Sequence, residues 1–105
     1  MAFTDSHRRC ASFGVVTNLP DDVIDSIWYI IDHFLKHVFE LEDELEFQLL
    51  NRDGSITFRF SSQHLPTIID FDFTHPFEPL YPPKVIVLDM DGKETILLPE
   101  ENELY

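Results

Sequence analysis

Basic residues are scarce in this 105-residue chain: seven Lys and Arg stand against twenty Asp and Glu, a formal net charge of -13. Nucleic acid is bound by neutralising phosphates with Lys and Arg, so this balance excludes it as a partner. An anionic membrane surface is excluded for the same reason. Cysteine is nearly absent. Cys10 stands alone and cannot close an internal disulfide, which points to a reducing, cytoplasmic setting. Arg8 and Arg9 beside it would favour a thiolate. Its place near the terminus nonetheless favours an incidental or structural cysteine over a nucleophile. Glycine is confined to Gly14, Gly54 and Gly92. That leaves no glycine-rich phosphate loop and no Gly-x-Ser-x-Gly nucleophile turn. No apolar run approaches a membrane span, and the opening MAFTDSHRRCASF lacks the apolar stretch of a leader.

Apolar residues are plentiful. They make up 44% of the chain, and ten are Phe, enough to build a core for one small domain. Residues 10–101 are expected to form a single α+β domain, with 1–9 and 102–105 as terminal arms. The strongest periodicity runs from 21 to 39. Ile24, Ile27, Trp28, Ile31, Phe34, Leu35 and Val38 recur at helical spacing and predict one long amphipathic helix. Asp21 and Asp22 suit its N-terminal dipole. Trp28 belongs to the apolar stripe and is expected in the core. Asp32 stands at the stripe's edge, where it can satisfy a partner.

Elsewhere the period is two. CASFGVVT (10–17) reads as a short strand. In FQLLNRDGSITFRF, Phe47 and Leu49 alternate with Gln48 and Leu50, and Ile56, Phe58 and Phe60 with Thr57, Arg59 and Ser61. Asp53-Gly54 between them predicts a tight hairpin. TIIDFDF (67–73) places Ile69, Phe71 and Phe73 on one face and Asp70 and Asp72 on the other. THPFEPLYPP carries four prolines and predicts an extended crossing. KVIVLDM, a DGK turn and ETILLP predict a second hairpin. The expected fold is a mostly antiparallel sheet of five to six strands with one long helix packed on a face.

Several groupings carry possible chemistry. VIVLDMDGKET resembles the signature strand of haloacid-dehalogenase-like phosphatases, whose first Asp attacks phosphorus. That family places its remaining catalytic groups on later strands of a doubly wound sheet. Here only thirteen residues follow Gly92, and Lys93 stands where Thr is usual. A hairpin explains the same letters, with Asp91-Gly92 supplying the turn. Asp70 and Asp72, if Asp89 and Asp91 joined them, would form an oxygen-rich site for magnesium or calcium. Their mutual repulsion would then raise some of their pKa values. The plainer reading is the solvated face of a strand. His33 and His37, four apart on the helix, have zinc-ligand spacing, with His64 or His75 as a third ligand. Phe34, however, stands where a metalloprotease helix has Glu. Surface histidines are the simpler reading. Ser61, Ser62 and His64 lie near Asp70 and Asp72 in sequence without a recognisable nucleophile motif. FDFTHPFEPLYPPKVIVL is similar to the Tyr-Pro…Pro-Pro segment of ubiquitin-conjugating domains. No cysteine follows Pro83, so that resemblance implies at most an inactive binding fold.

One resemblance spans residues 10 to 101. The stretch ASFGVVTNLPDDVIDSIWYIIDHFLK, then a hairpin, then PPKVIVLDMDGKETILLPEE resembles the small bacterial domain-of-unknown-function family 960 of Firmicutes. Val16 to Pro20, Ile27, Trp28, Ile31, Asp32 and Thr95 to Leu98 carry the likeness. It implies a small cytosolic protein and transfers no catalytic residue. The functional expectation is a non-enzymatic, acidic protein-interaction or regulatory module. A basic protein partner would meet Asp70, Asp72, Asp89 and Asp91, with Phe77 and Tyr81 of the proline-rich crossing as apolar contacts. No cofactor is expected. The alternatives are a small metal-dependent hydrolase using the same four carboxylates, and a self-associating subunit using a strand edge.

Overall fold

In the computed structural model, residues 8–36, 38, 41–62 and 67–104 are described. Six strands form one sheet: β1 (Arg8–Ala11), β2 (Glu44–Arg52), β3 (Ser55–Ser61), β4 (Ile69–Pro76), β5 (Lys84–Met90) and β6 (Lys93–Leu97). Their spatial order is β1-β6-β5-β2-β3-β4. Every neighbouring pair is antiparallel except β1 with β6.

Both hairpins form where Asp-Gly predicts them. Asp53 and Asp91 have φ of 53° and 54°, and Gly54 and Gly92 both have φ of 90°. Two consecutive left-handed residues match the right-handed twist of the flanking strands. Each turn is tied by the same device. The Gly54 N–H donates to Asn51 Oδ1 at 2.8 Å, and the Gly92 N–H donates to Asp89 Oδ1 at 2.9 Å.

The register sets the core. Phe47 lies opposite Phe60 and Val85, Leu49 opposite Phe58, and Phe58 opposite Phe71. Val87 lies opposite Ile96, which in turn lies opposite Ala11. These residues share one face because side chains alternate along a strand. Helix α2 (Asp21–Ile30) covers that face with Val23, Ile24, Ile27 and Ile30, and continues as a π-helical segment, Ile31–Leu35. The helical unit therefore has 15 residues, shorter than the expected 21–39. Residues 37, 39 and 40 lie outside the described set. The wider π turn keeps Ile31 and Leu35 in the core and leaves Phe34 on the flank, 45% exposed. Val38 also departs from the expected stripe and is mostly exposed. Trp28 is partly buried against the core.

The sheet curls around this helix, so both edge strands reach its flanks. At the β1 edge, Arg9 donates to both carboxylate oxygens of Asp32, at 2.7 and 2.5 Å, and to the buried Glu94 at 2.9 Å. Its guanidinium also lies 4.6 Å from the centre of the Trp28 ring. Lys36 pairs with Asp32 one turn on, at 3.1 Å. Asp32 thus does satisfy partners at the stripe's edge. The Arg9 hydrogen bond holds its pKa down at about 2, against the opposing effect of burial.

Two expectations fail at the N-terminal end. Arg8 and Arg9, assigned to an arm, begin β1. Residues 10–17, read as a strand, divide: Cys10 and Ala11 finish β1, and Phe13–Asn18 form a short helix, α1. A contact distant in sequence decides this. Ser12 caps α1 by accepting the Val15 N–H at 3.2 Å, and its hydroxyl donates to Glu101 at 2.5 Å. The same carboxylate accepts the N–H of Gly14 at 3.1 Å and of Leu98 at 2.9 Å. Residues 102–104, expected in the C-terminal arm, complete a 3-10 helix, Pro99–Leu104.

Candidate functional site

The strand order separates the four aspartates. Strands β2 and β3 stand between β4 and β5. Three interstrand steps, about 14 Å, therefore divide Asp70 and Asp72 from Asp89. The register also divides them by face. Asp70 lies opposite Arg59, which lies opposite Gln48, and Gln48 opposite Lys84, all on the side away from α2. Asp89 lies opposite Glu94, on the side that α2 covers. Asp91 is a turn residue. The structure does not assemble a four-carboxylate site.

Asp70 and Asp72 are matched by cations instead. Arg59 donates to both oxygens of Asp70, at 2.8 and 3.0 Å, and Arg52 reaches Asp70 and Asp72 at 3.2 Å each. The Thr57 hydroxyl donates to Asp72. The Arg59 hydrogen bond pulls the Asp70 pKa below its ordinary value, opposite to the rise that carboxylate repulsion would cause. Among the described residues, no group of three or more His, Cys, Asp and Glu side chains could hold a metal ion. His37 and His64 lie outside the described residues. His33 lies against the Tyr29 ring, with centroids 4.3 Å apart. Cys10 is fixed in β1, its sulfur 3.7 Å from Thr95 Oγ1. Ser61 donates to Glu46 at 3.2 Å.

Phe77 and Tyr81 are partly buried against the core, their rings edge-on at 6.3 Å. Burial, and then the charges of Glu78 and Asp22, raise the Tyr81 pKa. Leu80, between them, is 90% exposed.

A different seam draws the functional residues together. Helix α2 runs antiparallel to β4 along the other edge of the sheet. Its first turns meet the end of β4, where Ser26 Oγ and His75 Nε2 are 2.8 Å apart. The π-helical segment that continues α2 meets the start of β4, where the Phe34 and Phe71 ring centroids are 5.4 Å apart. Tyr29 joins Phe34 edge-on at 5.9 Å, and Phe73 stacks on His75 at 5.8 Å. Tyr29 and Phe34 are about half exposed. Asp22, Asp25, Ser26, Tyr29, Phe73 and His75 line an open cleft of about 300 Å³. Its floor is aromatic and its rim acidic.

Within the cleft, His75 Nδ1 lies 3.5 Å from Asp22 Oδ2. Serine, histidine and aspartate thus stand in the order of a nucleophile relay. Their surroundings do not suit acyl transfer. The Ser26 hydroxyl donates to the Asp22 carbonyl at 2.8 Å, so His75 meets an oxygen whose proton is already committed. Ser26 lies past the first turn of α2, where backbone N–H groups are consumed by helical hydrogen bonds and cannot form an oxyanion hole. His75 bridges Ser26 Oγ and Asp22 Oδ2 and so ties α2 to β4.

Sequence reasoning missed this seam. Asp22 read only as a charge suited to the helix dipole, and Tyr29 was not part of the apolar stripe. The signal available was the alternation of Ile69, Phe71, Phe73 and His75 in a strand ending at Pro76, the pattern of an edge strand with one apolar face.

These features define a small α+β protein in which a curled six-stranded sheet cradles one helix between its two edges. The family described as "Staphylococcal protein of unknown function (DUF960)" matches residues 8–101. The chain belongs to the DUF960 family. A crystal structure of a protein of unknown function from Enterococcus faecalis is similar over 90% of this chain and 89% of that one. The two share 44% sequence identity, with a TM-score of 0.88. No protein with a curated description matches. Among the described residues, no helix is long and apolar enough to cross a membrane.

Proposed function

We propose that this protein is a non-enzymatic, acidic protein-interaction module of the cytoplasm, and that its contact surface is the seam between α2 and β4. The aromatic cleft rimmed by Asp22 and Asp25 carries this reading. Tyr29 and Phe34 keep large apolar area in water at a place where the backbone is already regular and fixed. Rigid aromatics with a polar rim are the composition of protein contact sites. The charge of -13 fits a basic partner and gives association a strong salt dependence. Asp70 and Asp72 contribute less than their sequence implied, because Arg52 and Arg59 already neutralise them. Phe77 and Tyr81 act mainly as packing for the crossing, with the exposed Leu80 beside them.

The test is affinity capture of the tagged protein from its own cytosol, at low and high salt, beside a Tyr29→Ser/Phe34→Ser double variant. A partner held at low salt, released at high salt and lost in the folded variant is the expected result. Capture unchanged in that variant refutes the seam as the contact surface.

A further inference from the structure

We infer that the seam recognises its partner by strand addition: an extended basic segment of another protein pairs with β4 as a seventh strand. This rests on the interaction reading above and names what the seam takes. Strand β4 ends the sheet order, and among the described residues no further strand pairs with it. It is eight residues long and pairs in regular register with β3 over Ile69 to Asp72, where N–H and C=O groups of alternate residues point away from β3, a ready template for another chain. A strand laid there would direct every second side chain to the α2 side of the sheet. It would meet Phe71, Phe73 and the half-exposed rings of Tyr29 and Phe34. Aliphatic residues fit that row. At the His75 end the row opens into the cleft rimmed by Asp22 and Asp25, where a lysine or arginine fits by charge and by its apolar stem.

The occupant is a different protein rather than a second copy. Two chains of charge -13 meeting edge to edge would juxtapose like charges, among them those of Asp22 and Asp25 at the cleft rim. A basic segment reverses that sign.

The probe is the peptide Lys-Lys-Val-Thr-Val-Thr-Val-Lys-Lys, titrated into the full chain and followed by amide NMR shifts. Two twins accompany it, one N-methylated at the valines and one at the threonines. Only alternate amides of an added strand face β4. One twin should therefore lose binding while the other retains it. Shifts should centre on Ile69 to Thr74, and Asp22→Lys with Asp25→Lys should weaken binding about tenfold. Equal binding by both twins, or shifts centred on Phe77 to Pro83, overturns strand addition and leaves the interaction reading in place. A free chain that dimerises with its β4 amides protected overturns it in favour of a second copy. No binding by any peptide to a monomeric chain also overturns it, and capture with the Tyr29→Ser/Phe34→Ser variant then judges the broader reading separately.

Discussion

Replacing Arg9 by Met should be among the most costly single changes at the surface of this protein. Methionine keeps a stem to lie on Trp28 but removes the guanidinium. The Glu94 side chain is fully buried, and it loses the cation 2.9 Å away. Asp32 loses its bidentate partner at the same time. Breaking a buried pair by removing one member costs about 3–5 kcal/mol. Water reaches this network from one side, since the Arg9 and Asp32 side chains are 26% and 34% exposed, so the lower end applies, about 3 kcal/mol. The melting temperature should fall by roughly 10–20 °C. Urea denaturation followed by circular dichroism measures the change without relying on Trp28 emission. The double variant Arg9→Met/Glu94→Gln should recover about 1–2 kcal/mol relative to the sum of the single changes. The acid limb offers an independent reading. The folded pKa of Asp32 is lowered from 3.8 to about 2, so its contribution is complete above about pH 4 and is lost as pH falls towards 2. That shift sets a ceiling of about 2.5 kcal/mol, and partial exposure reduces it to about 1 kcal/mol. Arg9→Met should flatten the stability slope between those two pH values. A loss below about 0.5 kcal/mol with an unchanged acid limb would refute the network.

The glycines separate two kinds of cost. At Gly14 a Cβ would lie 2.7 Å from Leu98 Cδ1 and 2.9 Å from the Glu101 carboxylate, so Gly14→Ala should cost about 1–3 kcal/mol in thermal denaturation and loosen the Glu101 clasp on α1. At Gly54 nothing lies within 4 Å of a Cβ, so Gly54→Ala should cost only the left-handed backbone penalty of about 1–2 kcal/mol. A loss at Gly54 well above that backbone penalty, or no loss at Gly14, would contradict this. Magnesium, manganese and calcium should leave the melting temperature unchanged, because Asp70 and Asp72 are held by Arg52 and Arg59. A rise that Asp70→Asn abolishes would restore the metal-dependent reading.

What was legible in the sequence was local. The two Asp-Gly turns and the alternation beside them fix both hairpins, since neighbouring residues decide both φ and face. The apolar stripe of α2 was legible for the same reason, as far as the π segment. The parts misread depend on residues far apart in the chain. Residues 13–18 carry Val15 and Val16, good strand formers, yet Ser12 and Glu101, 89 positions apart, close them into α1. Arg9 looked like part of a polar arm because its partners, Asp32 and Glu94, lie 23 and 85 positions away. The acidic face was read from two separate stretches, Asp70 and Asp72 in one and Asp89 and Asp91 in the other. Its neutralisation by Arg59 required the pairing of β3 with β4, and the separation of Asp89 required the full strand order. The Ser26–His75 contact, 49 positions apart, likewise exists only once β4 lies against α2.

Hydrogen exchange on the free chain and on its complex with the captured partner tests the central claim most directly. The seam account predicts slowed exchange at the backbone amides of Ile69 to Thr74, with Phe77 to Pro83 and the Asp89–Gly92 turn unchanged. Protection confined to that crossing and that turn, with β4 exchanging as in the free chain, would contradict it.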